Sequence, residues 1–509
     1  MPQDDAYVTV LRRDMAGGMN TRQDEQVIAD NQATNLENVA LDTPGQTTLR
    51  AGATLVEDLS NDAGTGAVGF EPDGGTNVIV VTHGQKLETY TGSGTFTERK
   101  TDFTTNLVTN MFKAGESGIG DVLLVTNGTD NWFRFDPADW GTPQDLGNTS
   151  GTGTDSPPKG TIVGCYFRNR VWILKDNLLY FSAAFPADYA VAFDTVSDVY
   201  NIPCGTERAL LPLRDTGIVI LGQDQIWGLN PSVTPAATDK PEKLLDLGCT
   251  AGNTAKQVGD DITFLANDGV RGVFRTQQDK LQMGQSYPLS YYLKTEFEEI
   301  NWSKKANFDA VYFDNKYILT LTTGTTTYNN KMWAYYPAFN AWVVITGLNI
   351  ARFAKVVFNG EERLYGIDSN DGSVYRLFSG TTDAGTAIAY TEEGRAEDCG
   401  KPFQWKVGGE YKLKAKGGTG TLVVSANPDG QGYSQLGTLS LAVTGVTFPT
   451  IFPVTFNTES EANEVFHLEQ IGRFKRVKFK IYCNTSGAVI KILERELIGI
   501  VEEYQPEDY

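Results

Sequence analysis

"VIVVTHGQKLETY", residues 78–90, decides the fold. An apolar run reaches His83-Gly84 and is followed by a second run that ends on an aromatic. The form returns in "VLLVTNGTDNWFRF" (122–135), with Asn127-Gly128 at the turn, and in "ITFLANDGVRGVF" (262–274), with Asp268-Gly269. Asn-Gly and Asp-Gly supply the positive φ angles of two-residue hairpins, so each stretch reads as two tightly joined antiparallel strands. Looser copies turn near Arg168-Asn169, Gln223-Asp224, Asp314-Asn315, Asn359-Gly360 and Asp371-Gly372.

Seven turn centres fall near 84, 128, 169, 223, 268, 315 and 360, at intervals of 44, 41, 54, 45, 47 and 45. A period of roughly 40–50 residues holding two hairpins' worth of strand is the signature of β-propeller blades. One four-stranded blade cannot cover its own apolar faces, and neighbours stacked around an axis do so. The spacing predicts an all-β chain with about seven blades over 55–382; six or eight also fit. Separate β-sandwiches would explain the strands but not their even spacing.

Beyond "SGTTDAGTA" (379–387) the strands lengthen. "FQWKVGGEYKLKAK" (403–416), "GTLVVSANPDG" (420–430), "FKRVKFKIYCN" (474–484) and "AVIKILERELIGI" (488–500) alternate along their length and predict a C-terminal β-sandwich over 383–509. Residues 1–54 form an N-terminal arm. In it, Asp30 or Asn31 can cap a helix, and Ala33, Leu36, Val39 and Ala40 recur at helical spacing. A helix of two or three turns does not persist alone, so its Leu36/Val39 stripe must dock on another surface.

The totals narrow the function. At 509 residues the chain exceeds one ordinary core. It has no run near ~18 apolar residues and its first residues do not form a secretory signal, which predicts no membrane insertion and synthesis in the cytoplasm. Five scattered cysteines, Cys165, Cys204, Cys249, Cys399 and Cys483, read as small buried side chains. A net charge of −20 disfavours tight binding to duplex nucleic acid, whose affinity comes from neutralising phosphates.

The search for chemistry yields little. The two histidines, His83 and His467, form no spaced pair for a nucleophilic triad. No carboxylate pair stands out for glycoside work, "SNDGSVY" (369–375) lacks the spacer of a sialidase turn motif, and "NGTDN" (127–131) and "DSNDG" (368–372) lack the alternation of a calcium loop. "GTGTDSPPKG" (151–160) is a Pro/Gly linker rather than a phosphate loop. No catalytic residue, cofactor or metal is expected. The one basic concentration is "RFKRVKFKI" (473–481), with Val477, Phe479 and Ile481 alternating with Arg476, Lys478 and Lys480. It reads as a strand with one solvated charged face, or as a contact for an acidic surface such as another copy's "VEEYQPEDY" (501–509).

The arm carries a resemblance. "GGMNTRQDEQVIADNQATNLENVALDTPGQTTLRAG" (17–52) resembles the N-terminal signature of β-propeller tail proteins of short-tailed phages, the nozzle or tail tubular protein B-type family. The Gly-Gly-hydrophobic-Asn turn is Gly17, Gly18, Met19 and Asn20. The "D/N-N-Q-A…N-V" segment is Asp30, Asn31, Gln32, Ala33, Asn38 and Val39. The "L-R-x-G" strand is Leu49, Arg50 and Gly52, with Ala51 where a Pro often stands. The resemblance implies a virion structural protein rather than an enzyme. It implies a hexameric ring below the tail adaptor and portal, which continues the DNA ejection channel and helps retain packaged DNA. Arm and C-terminal domain would together form a platform facing the adaptor, fibre or spike proteins could dock outside, and DNA would pass without specific binding. On that reading Met19, Asn20, Leu36, Val39, Arg476, Lys478 and Lys480 dock the adaptor or a neighbouring copy. A receptor- or glycan-binding propeller at a tail tip or cell surface is the alternative, and a propeller hydrolase a third.

Overall fold

The computed structural model describes residues 7–12, 14–59, 62–115, 120–146, 156–185, 192–236, 238–447 and 455–501. Four consecutive meanders, spanning 64–100, 110–145, 164–201 and 207–245, each form a separate four-stranded sheet whose strands follow chain order from the axis outward. A three-stranded sheet over 251–272 comes next. The helix Val273–Met283 packs against it where a fourth strand would lie. Asp261 holds the start of this helix by accepting from the Phe274 and Arg275 N–H groups, and Gly284, at φ 73°, ends it.

The strands of 350–377 complete a further four-stranded sheet, but its outer strand, Ala53–Glu57, comes from the other end of the propeller sequence and pairs antiparallel with Val374–Leu377. The ring is thus closed by hydrogen bonds between its beginning and its end. Six small sheets stand free around the axis. The meander of 309–345 fills the remaining position between the sheets of 251–272 and 350–377, but it runs on into a nine-stranded sheet. The innermost strands touch in sequence around the circle, from Gly64–Phe70 through Asp309–Phe313 and Ile350–Phe358 and back to the first. The chain is a β-propeller.

Close approach of these inner strands is written in glycine. A Cβ on Gly69 would come within 1.8 Å of the Lys355 carbonyl oxygen, and one on Gly252 within 1.9 Å of the Arg208 carbonyl oxygen. No larger side chain fits where one backbone runs against the next.

The platform is a β-sandwich. One layer is an eight-stranded sheet built on Lys406–Gly417 and Ile490–Val501, with Tyr7–Arg12, Val39–Ala40 and Thr47–Leu49 of the arm added to it. The other layer is the far half of the nine-stranded sheet, with Tyr390–Glu397, Val477–Cys483, Gly420–Pro428 and Ser434–Leu441. Alternate residues such as Leu413, Val424 and Ile481 meet in its core, where Tyr411 stacks on Phe479 at 4.0 Å. Inside it Arg495 pairs with Glu392 at 2.5 Å, and the hydroxyls of Thr47 and Tyr390 donate to the same carboxylate. The desolvated carboxylate therefore has the additional hydrogen bonds that burial demands, while Arg495 Nη1 is buried without an acceptor among the described residues.

The arm departs from its expected form. No helix occurs over 30–40; the segment is three short strands, Gln32–Ala33, Asn35–Glu37 and Val39–Ala40. Asn35–Glu37 lies between Ala341–Ile345 of the propeller, which it joins in parallel, and Tyr390–Glu397 of the platform, which it joins antiparallel. Both neighbours offer backbone groups at an edge, and a strand satisfies both where an isolated two-turn helix would satisfy neither. The helical spacing arises because the chain bends at Asn38, with φ 56°, so Ala33, Leu36 and Val39 all turn inward. Among the described residues no helix is long and apolar enough to cross a membrane.

Candidate functional site: the arm junction and the propeller axis

The two halves of the arm signature meet each other. Gly18–Met19 pairs in parallel with Gln32–Ala33. Asn20, fully buried, donates from Nδ2 to Gln23 Oε1 and Gln32 Oε1, both at 2.8 Å, and accepts from the Arg22 and Gln23 N–H groups. A Cβ on Gly17 would strike Asn31, and one on Gly18 the Trp342 backbone. Asn38 takes the left-handed conformation and accepts from Arg50 Nε at 2.7 Å and from the Thr346 N–H. Arg50 gives its other donors to Asp383 and to the Ala51 and Thr346 carbonyls, while Gly52 lies against the Thr382 backbone. The signature residues therefore form a clasp where the chain enters the propeller, leaves it and joins the platform.

This revises the docking expectation for the arm. Met19, Leu36 and Val39 are buried in the chain's own cores, Met19 in the cluster with Trp342 and the other two in the core shared by propeller and platform. They are not surfaces held ready for a neighbour. The basic strand behaves likewise. Val477 and Ile481 face the core, whereas Lys478 reaches Glu25 at 3.3 Å and Glu393 at 3.4 Å, and Lys480 reaches Glu393 at 3.2 Å. Burial pushes the Glu393 carboxyl up, but the Tyr433 hydroxyl and the two lysines outweigh it, so its pKa lies below the ordinary carboxylate value. The acidic partner of Lys478 and Lys480 is thus intramolecular. Arg476 is half-buried beside Asp429, which accepts from its backbone N–H. The proposed acidic partner at 502–509 lies outside the described residues.

The residues expected to be inert are separated by the fold. His83 is buried in the first blade with Nε2 3.6 Å from Glu88, while His467 sits exposed on the platform. All five cysteines are buried and free, and burial pushes the thiols of Cys204 and Cys399 up to about 11. Among the described residues no group of three His, Cys, Asp or Glu side chains could hold a metal ion. "DSNDG" is a turn in which Asp368 accepts from the Asn370 and Asp371 N–H groups.

Sequence reading missed the axis. Where the inner strands begin, a cavity of about 450 Å³ opens, lined by Asn127, Thr206, Arg208, Asn253 and Lys305 among others. A second cavity of about 260 Å³ adjoins it along the axis, lined by Asn110, Lys113, Arg208 and Lys256. These residues lie on four different sectors of the ring, at distances in sequence that no local pattern reveals.

No family model matches the chain, and no curated protein does. Among solved structures it is similar to BBS1N in complex with ARL6DN, at TM-score 0.40 and 12% identity over 66% of this chain and 98% of that one. It is also similar to the AfRom2 CNH domain, at 0.40 and 11% over 64% and 99%. A catalytically inactive virginiamycin B lyase from Staphylococcus aureus with quinupristin gives 0.37 and 10% over 63% and 98%. These are likenesses of fold alone.

Proposed function

We propose that this chain is a non-catalytic wall subunit of the tail nozzle of a short-tailed phage. Six copies would form a ring below the adaptor, extend the DNA ejection channel and help retain packaged DNA, with fibre or spike proteins attached outside. The observation that carries the reading is the clasp: the residues that resemble the nozzle signature, Gly17 to Asn20, Gln32, Asn38, Arg50 and Gly52, all bear on the junction of arm, propeller and platform. The charge supports it too. Six copies of −20 amount to −120, and any part of this that faces a channel repels DNA phosphates rather than holding them.

Cryo-EM of the assembled particle tests the proposal. A ring of six propellers around the genome's exit path, with the platforms towards the adaptor, is the expected result. This chain lying away from that path would overturn it. The alternative, a receptor- or glycan-binding propeller, is favoured by the polar axial cavity. Saturable glycan binding by a chain absent from the tail would establish it instead.

A further inference from the structure

The propeller axis differs in charge from the rest of the molecule. Acidic side chains outnumber basic ones by 20 in the whole chain, yet the two adjoining axial cavities are lined by four cations, Lys113, Arg208, Lys256 and Lys305, and one carboxylate, Glu207. Two of the cations are matched: Lys113 pairs with Asp121 at 2.6 Å, and Lys256 with Asp309 at 3.3 Å. Arg208 and Lys305 make no ion pair among the described residues. Arg208 gives Nη2 to Gln223 Oε1, while its Nε–H is buried and has no acceptor among the described residues.

The arginine is held at its base. It lies in Glu207–Leu213, and Gly252 of the next inner strand runs directly against its carbonyl oxygen. It also lines both cavities, so it stands where they meet. A guanidinium offers a planar fork of donors suited to oxyanions, and a buried donor without a partner is costly. At about 450 Å³ the outer cavity falls in the range of roughly 300–1,000 Å³ in which small ligands bind.

We propose that the propeller axis is a binding site for a small tetrahedral oxyanion, phosphate or sulfate, with Arg208 as its main ligand and Lys305 as the second cation. The oxyanion is either free or carried on a saccharide. The site stands on the propeller alone and does not depend on the nozzle reading.

Titration calorimetry on the full chain tests it, with inorganic phosphate, inorganic sulfate and N-acetylglucosamine 6-sulfate against sodium chloride at matched ionic strength. Saturable binding of the oxyanions and none of chloride is expected. Arg208→Gln should weaken that binding by about tenfold or more, the scale of one lost charge-assisted hydrogen bond. Lys305→Met should weaken it less, and Arg376→Gln, on the third strand of the last blade and away from the axis, should not alter it. Tighter binding of the sulfated sugar would identify the carried form, and equal binding the free ion. Absence of saturable binding, or binding insensitive to both Arg208→Gln and Lys305→Met, overturns the site. Should Arg208→Gln fail to fold, Lys305→Met decides alone.

Discussion

The guanidinium of Arg50 meets the carboxylate of Asp383 at 2.6 Å, with the two side chains only 3% and 7% exposed. One residue precedes the propeller and the other follows it, 333 positions later. Their contact fastens entry to exit at the point where Ala53–Glu57 closes the ring. Removing one member of a buried pair leaves the other charge uncompensated, at a cost of about 3–5 kcal/mol. Arg50→Ala should lower stability by that order in urea unfolding of the isolated chain. In the double variant Arg50→Ala/Asp383→Ala the loss should be clearly less than additive, because the stranded carboxylate is gone. Additive losses would show that the clasp is no coupled unit.

Close packing of the inner strands leads to a second expectation. Gly69→Ala and Gly252→Ala each force a methyl group into a neighbouring backbone carbonyl, which no rotamer can relieve. Each should cost about 1–3 kcal/mol or more, as overpacking does. Gly394→Ala, whose Cβ would meet only Met15 Cε at 3.9 Å, should stay within about 0.5 kcal/mol of the parent protein. Thermal melts of the three variants compare them directly. Equal behaviour of Gly69→Ala and Gly394→Ala would show that adjacent blades are not in register as described.

Leu36 separates two uses of the arm. As a docking element for a neighbouring copy, it would matter little in the isolated chain. As a fully buried member of the core shared by propeller and platform, its truncation should cost about 2–5 kcal/mol with no partner present. Leu36→Ala measured by denaturant unfolding of dilute monomer gives the answer, and a loss below about 0.5 kcal/mol would return the residue to the interface.

The propeller was legible because hairpin turns are local. Arg168-Asn169, Asp314-Asn315 and Asn359-Gly360 all adopt positive φ and join consecutive strands, as their residue types predict. The uneven steps between turn centres also have a cause. The turns near 169, 315 and 360 join the first and second strands of their sheets, whereas those near 84, 128, 223 and 268 join the second and third. The long interval before 223 reflects that change of position rather than an extra element. The arm was misread because burial on two sides imitates helical spacing: Leu36 and Val39 are inward for different reasons, one in a bridging strand and one beyond a bend. The helix Val273–Met283 escaped notice because its residues are mostly polar, with only Val273 and Thr276 buried. The axial cavity could not have been read at all, since Asn127, Arg208 and Lys305 meet only after the ring closes.

Asp368 sets a pH dependence. It is buried at the end of Glu361–Asp368, and that burial, with the charge of Asp371, pushes its carboxyl up to about 6 against the hydrogen bonds from Asn370 and Asp371. An unfolded aspartate ionises near 3.8. Between these values the folded chain holds a proton that the unfolded chain has lost, so this group's contribution falls as pH rises through the window and stays low above 6. Asp368→Asn keeps an oxygen to accept both backbone N–H groups but has no charge to desolvate. It should therefore be more stable than the parent at pH 7.5, by on the order of 1–3 kcal/mol. The advantage should shrink steadily below pH 6 and vanish near pH 4. Calorimetric melting of both proteins across that range measures it, and a difference that does not change with pH would mean that ionisation of Asp368 costs the fold nothing.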